Sequence, residues 1–290
     1  MTTEGREMTT HTTSASTAPS AGPDATDRSA AYRSVDGPGA DLGRPSLLRL
    51  TGVELRKLAD TRAGYWLLIT IGLVSVAIVA VMLVFTPDAD QQFANFFALS
   101  QFPVGILLPI LGIMLVTSEF SQRTALTTFA LVPQRHRVVV AKLAAGVVAG
   151  LISALVTLGT AAVGTLIASL GGADDLWSAV PMPLLGAAVF QVVSVLMGIA
   201  FGLLFQNTPV AIVLSLVLPI AWSILSGMIS GLRTAAAWLD TGLTTAPLIE
   251  PPGAGELGAG QWARLGVSVA VWVLVPLVAG LVRTIRREVS

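Results

Sequence analysis

The sequence contains no cysteine, two histidines and two lysines, and only 12% of its 290 residues are charged. Each scarcity excludes a class of chemistry. Without cysteine there is no disulfide, no thiolate nucleophile and no cysteine-held metal. His11 and His136 are too few and too far apart along the chain for a histidine metal cluster. Lys57 and Lys142 sit in the contexts Arg56-Lys57-Leu58 and Ala141-Lys142-Leu143. Neither follows glycine and precedes Ser or Thr, as a phosphate-cradling Walker A lysine must. If ATP drives anything here, another chain hydrolyses it. A soluble domain carries about 25% charged residues. The deficit, with a mean hydropathy of +0.77, predicts an outer surface that faces lipid. The formal net charge of zero leaves no global basic field for nucleic acid.

What the chain does have is long apolar runs. A spanning helix needs about 20 apolar residues, and six stretches qualify: 65–85, 93–117, 138–170, 184–205, 209–229 and 265–282. Residues 45–290 therefore read as one six-helix membrane domain. Tyr65-Trp66 stands where an aromatic belt belongs. Pro103 and Pro109 interrupt the second run, so neighbouring helices must help satisfy the carbonyls they free. The third run is long enough to tilt or to project beyond the bilayer. Only Gln206-Asn207-Thr208 separates runs four and five, which makes them antiparallel neighbours. Residues 1–44, rich in Ser, Thr, Ala, Gly, Pro and Asp, cannot bury enough apolar surface to offset ordering entropy. They read as a disordered tail without the apolar core of a signal peptide.

Lys and Arg near the span ends set orientation. Arg44, Arg49, Arg56, Lys57 and Arg62 precede span one; Arg123, Arg135, Arg137 and Lys142 lie between spans two and three; Arg283, Arg286 and Arg287 follow span six. The opposite side holds only Arg233 and Arg264, with Asp88, Asp90, Asp174 and Asp175. Both termini are expected in the cytoplasm.

Residues 46–62 form a candidate amphipathic helix, with Leu47, Leu48, Leu55 and Leu58 on one side and Arg49, Arg56 and Asp60 roughly opposite. It reads as an interfacial helix whose bases reach lipid phosphates, or as a solvated juxtamembrane helix. The loop 118–142 is expected on the same side. Glu119 and Arg123 stand at i and i+4 with the acid first, the favourable order on a helix. Residues 124–132 continue as a short apolar helix, Pro133 closes it, and Gln134-Arg135-His136-Arg137 supplies a basic turn. The loop reads equally as a docking element for a cytoplasmic partner and as a connector whose bases enforce topology.

No Asp, Glu, Lys, Arg or His falls inside a hydrocarbon-spanning core, where a charge costs about 2.5–3.5 kcal/mol on insertion scales. That disfavours a proton-coupled carrier and intramembrane metallo- or serine proteases, so the chain is read as carrying no catalytic site and no cofactor. Gln191 is the one large polar side chain well inside a span; it either lines a path or makes an interhelical hydrogen bond. Gly146 with Gly150 and Gly198 with Gly202 have the GxxxG spacing of close helix approach, expected to serve packing within the chain before a dimer seam.

Three features resemble the permease subunits of ABC-2 type ABC transporters: Glu54-Leu55-Arg56-Lys57-Leu58 before span one; Glu119 with Arg123-Thr124 after span two; and Pro133, Arg135 or Arg137, then Lys142 leading into span three. The resemblance covers residues 46–290. It implies an all-α, six-span, both-ends-inside fold with an interfacial helix containing Glu54, Arg56 and Lys57. It implies a coupling helix that docks on a separate P-loop ATPase through Glu119, Arg123, Thr124, Pro133, Arg135, Arg137 and Lys142. It also implies a helical hairpin on the outer side within 231–263, and a second permease copy or paralogue in the cell membrane. The high Ala, Gly and Val content, with Arg favoured over Lys, points to a GC-rich bacterium. The function that the resemblance implies is half of the pathway of an ATP-driven exporter. The alternative, from another class, is a non-transporting membrane scaffold or regulatory subunit that recruits a cytoplasmic partner.

Overall fold

Apolar runs bounded by short polar turns become helices here because, in lipid, each backbone N–H and C=O must be satisfied within its own segment. A computed structural model of the chain describes residues 46–121, 135–171, 177, 181–249 and 258–286, and every element among them is helical. The tail expected at 1–44, and Arg123, Thr124 and Pro133 of the expected coupling helix, lie outside the described residues. Among the described residues, six helices are long and apolar enough to cross a membrane.

Helix α1 spans Leu47–Asp60, capped by the Ser46 hydroxyl, which accepts from the Arg49 N–H at 3.2 Å. Thr61 breaks the chain between α1 and α2, Arg62–Phe85. Its N–H donates to the Lys57 carbonyl at 3.1 Å, closing α1, while its hydroxyl oxygen accepts from the Gly64 N–H at 3.3 Å, opening α2. A Cβ at Gly64 would collide with the Leu58 carbonyl, so this corner requires glycine. Helices α3 (Phe93–Ser121), α4 (Arg135–Leu170), α5 (Pro181–Phe205) and α6 (Thr208–Met228) follow. Gln206 turns α5 into α6 with a φ of 53°, and the Asn207 side chain caps α6 at the Val210 N–H.

Two short helices, α7 (Arg233–Leu239) and α8 (Thr241–Ile249), form a helical pair after α6. Asp240 separates them and caps α8 through the Leu243 N–H at 3.1 Å. The sixth span is α9 (Ala259–Val269), a π turn (Ala270–Leu274) and α10 (Val275–Arg286). The turn widens just before Pro276, which has no N–H to donate and whose ring crowds the preceding turn; the Val275 N–H reaches back to Ala270.

Most expected spans match to within a few residues, and the differences have physical causes. The sixth begins at Ala259 rather than 265, because its first turns are amphipathic and lack the uniform apolarity by which a span is read. The basic turn expected at 134–137 is corrected: α4 is helical from Arg135. At about 1.5 Å per residue its 36 residues exceed a hydrocarbon core of about 30 Å, so its basic first turns project from the core.

Alternation of the six spans puts the first turn of α2, the last turn of α3, the first turns of α4, the α5–α6 turn and the last turn of α10 at one end, called here the near end. Hydrogen bonds bind it: Thr208 to Thr117 at 2.8 Å, Gln206 to Thr284 at 3.0 Å, and Arg283 to the Leu204 carbonyl. The far end carries the α2–α3 turn, the last turn of α4, the first turn of α5 and the α7–α8 pair. The core is a trio, α3, α4 and α5. Val104, Leu108, Leu111, Val195 and Ile199 fill its centre, and Phe93, Phe96 and Phe97 pack with Val79 and Met82 towards the far end.

Candidate functional site

The near end holds a buried charge cluster. Glu54 of α1 and Lys142 of α4 are almost fully buried, each with about 5% of its side chain exposed. Burying either alone would be costly, so their pairing decides the geometry. One Glu54 carboxylate oxygen (Oε2) accepts from Lys142 Nζ at 2.7 Å, and the other (Oε1) accepts from Lys57 Nζ at 2.8 Å. Lys142 also donates to the Leu115 carbonyl of α3 at 3.0 Å. One ammonium group therefore fastens α1, α3 and α4 together. Beneath it Leu58 enters the central core, and a crevice of about 220 Å³ opens between α1, α2, α3 and α6, bounded by Lys57, Leu58, Thr61, Leu111, Leu115 and Thr208.

The expected amphipathic stripe of α1 is split. Leu55 is half-buried and Leu58 buried, but Leu47 and Leu48 are exposed, and the inward face is completed by the carboxylate Glu54. Arg56 is exposed and Lys57 partly so. Lys142, grouped by sequence with the docking loop, is inside the bundle. Glu119 lies in the last turn of α3 and Arg135 in the first turn of α4, with side chains outside the described part; Arg137 is half-buried in α4. The two helices that flank residues 122–134 are thus two of the three that Lys142 joins.

Gln191 makes the interhelical contact. It is fully buried, and its Nε2 donates to Gln101 Oε1 of α3 at 2.7 Å and to Thr157 Oγ1 of α4 at 3.2 Å. The expectation that Gln191 alone lies well inside a span is corrected: Gln101 is fully buried at a similar depth in α3. The glycine pairs serve the same trio. A Cβ at Gly198 would strike the Pro109 carbonyl, and one at Gly146 would strike the Ile199 side chain. Proline in α3 and glycine in α5 are therefore one packing feature.

A second cavity, of about 420 Å³, lies towards the far end between α3, α5, α8 and the sixth span. Among the described residues no group of three His, Asp or Glu side chains could hold a metal ion. The near-end cluster joins α1, α3 and α4 through charge-assisted hydrogen bonds. In comparisons with known proteins, no family model matches the chain and no curated protein matches it.

Proposed function

We propose that the chain is the transmembrane subunit of an ATP-driven exporter of the ABC-2 permease type, with its near end in the cytoplasm of a bacterial cell and its ATPase on a separate chain. The Lys142 junction is the observation that supports this reading most. An ATPase pressing on residues 118–142 would load the end of α3 and the start of α4. Through Lys142 and Glu54 the same load reaches α1, which leads directly into α2. Movement of the loop would then be shared by three spans and the pre-membrane helix.

The partly unburied spans α2 and α6 suit a second copy or a paralogue, which would complete the pathway. Because the chain has no native cysteine, single cysteines at exposed Ile224 of α6 or Val76 of α2 report directly on such a seam. Oxidative cross-linking of one of them in native membranes is the expected result.

Coexpression with a P-loop ATPase encoded beside it tests the assignment. An exporter subunit co-purifies with that ATPase and raises its ATP hydrolysis in nanodiscs, and reversing charge at Glu119 or Arg123 abolishes the stimulation while leaving membrane insertion intact. A scaffold retains the partner and leaves hydrolysis unchanged.

A further inference from the structure

The far-end cavity has the shape and lining of a hydrocarbon slot. Its walls on the parallel helices α3 and α5 run from Ala98 to Gly105 and from Phe190 to Met197. Each stretch covers about 10 Å of helix. Counted from Phe93, the α3 wall lies about 8 to 18 Å below the far end, well inside a hydrocarbon core of about 30 Å. No charged residue lines it. Of its five polar side chains, Ser194, Thr245 and Trp272 each donate their polar hydrogen to a backbone carbonyl, at 2.8, 2.6 and 2.7 Å, and Thr241 and Ser268 are the other two. Water would find few partners there, and an empty slot would forfeit the dispersion contacts of its walls. The molecule available at that depth is an acyl chain.

A smaller cavity of about 220 Å³ shares α8 and the start of α9 as walls. Adjacent residues divide the two: Thr245 and Leu265 line the slot, Thr244 and Arg264 the smaller cavity. Arg264 is exposed, with its guanidinium carbon 6.0 Å from the Trp238 ring centroid. A cation thus stands one residue from a wall of the apolar slot, about 8 Å into the sixth span, from where a long Arg side chain can snorkel to the lipid phosphates.

We propose that α3, α5, α8 and the sixth span hold one anionic phospholipid of the surrounding bilayer, with one acyl chain in the slot and its phosphate at Arg264. The site does not depend on the exporter assignment, since lipid retention needs no ATPase, and either proposal can fail alone.

Native mass spectrometry of the full chain, extracted from bilayers of mixed phosphatidylglycerol and phosphatidylcholine, tests it. One phospholipid retained per chain is expected, with phosphatidylglycerol preferred roughly fivefold, the worth of one basic residue near a lipid phosphate. Arg264→Gln should remove the preference and keep the lipid. Val193→Trp, which fills the slot, should lose both lipids, and the milder Ala98→Phe should weaken retention if the larger change prevents folding. Phosphatidylglycerol should raise the thermal unfolding midpoint, whereas inorganic phosphate should not. The proposal is overturned if no lipid is retained, if both filling variants keep it at the wild-type level, or if inorganic phosphate protects as well as the lipid. It is also overturned if Val193→Trp splits a dimer without changing lipid retention, since a second copy would then be the occupant.

Discussion

The inner spans α3, α4 and α5 and the outer spans α2, α6 and the sixth are built from different materials. In the inner set the most apolar stretch is 56%, 50% and 50% buried, against 22%, 22% and 28% in the outer set. Apolarity does not explain the division: α2 is the most apolar span and among the least buried. Lipid is as apolar as leucine, so hydropathy marks contact with lipid and says little about position in the bundle. The inner set carries the buried amide network of Gln101, Thr157 and Gln191, the glycine of α5 that admits Pro109, and Lys142 at the rim. Close approach and polar pairing hold the trio; the outer spans lean on it.

If that contrast is right, the largest effects come from the inner set. Lys142→Ala should destabilise by about 3–5 kcal/mol, because Glu54 Oε2 loses its buried partner and the carboxylate keeps only the partly exposed Lys57 on Oε1. Glu54→Leu combined with Lys142→Leu should recover most of that loss, because neither member of the buried pair remains. Unfolding of the purified protein in mixed micelles checks both. Gly198→Val should cost about 1–3 kcal/mol, because a side chain there must push α5 off Pro109. Gln191→Leu should cost only about 0.6–1.7 kcal/mol, the range for interhelical hydrogen bonds in membranes. Ile220→Ala, on the exposed face of α6, should stay within about 0.5 kcal/mol in dilute detergent. A cost above about 2 kcal/mol at Ile220 would erase the distinction between inner and outer spans.

Length and apolarity made the spans and their order legible, since both follow from the energetics of backbone in lipid. Gln206-Asn207-Thr208 marks a break because Asn207 caps the next helix, and such caps are read locally; the break at Thr61 falls inside the helix expected over 46–62 and had no such signal. The charge cluster was only half legible. Glu54 and Lys142 are separated by two whole helices, and nothing local says that a carboxylate in an amphipathic stripe turns inward. Partners of Gln191 were hidden for the same reason, although the matching depth of Gln101 in a parallel span was a usable signal. The far-end slot depends on how α8 settles against α5 and the sixth span, where the Leu248 carbonyl packs on Gly186. That contact is tertiary and leaves no periodic trace.

The account stands most directly on ATP hydrolysis by the coexpressed ATPase with the chain in nanodiscs, measured for Glu54→Lys, Lys142→Glu and the two together. Both single variants should lose the stimulation, and the double swap, which restores opposite charges across α1 and α4, should regain a substantial part of it. Stimulation that persists at the wild-type level in well-folded single variants would contradict the claim that this ion pair carries motion from the loop into the membrane.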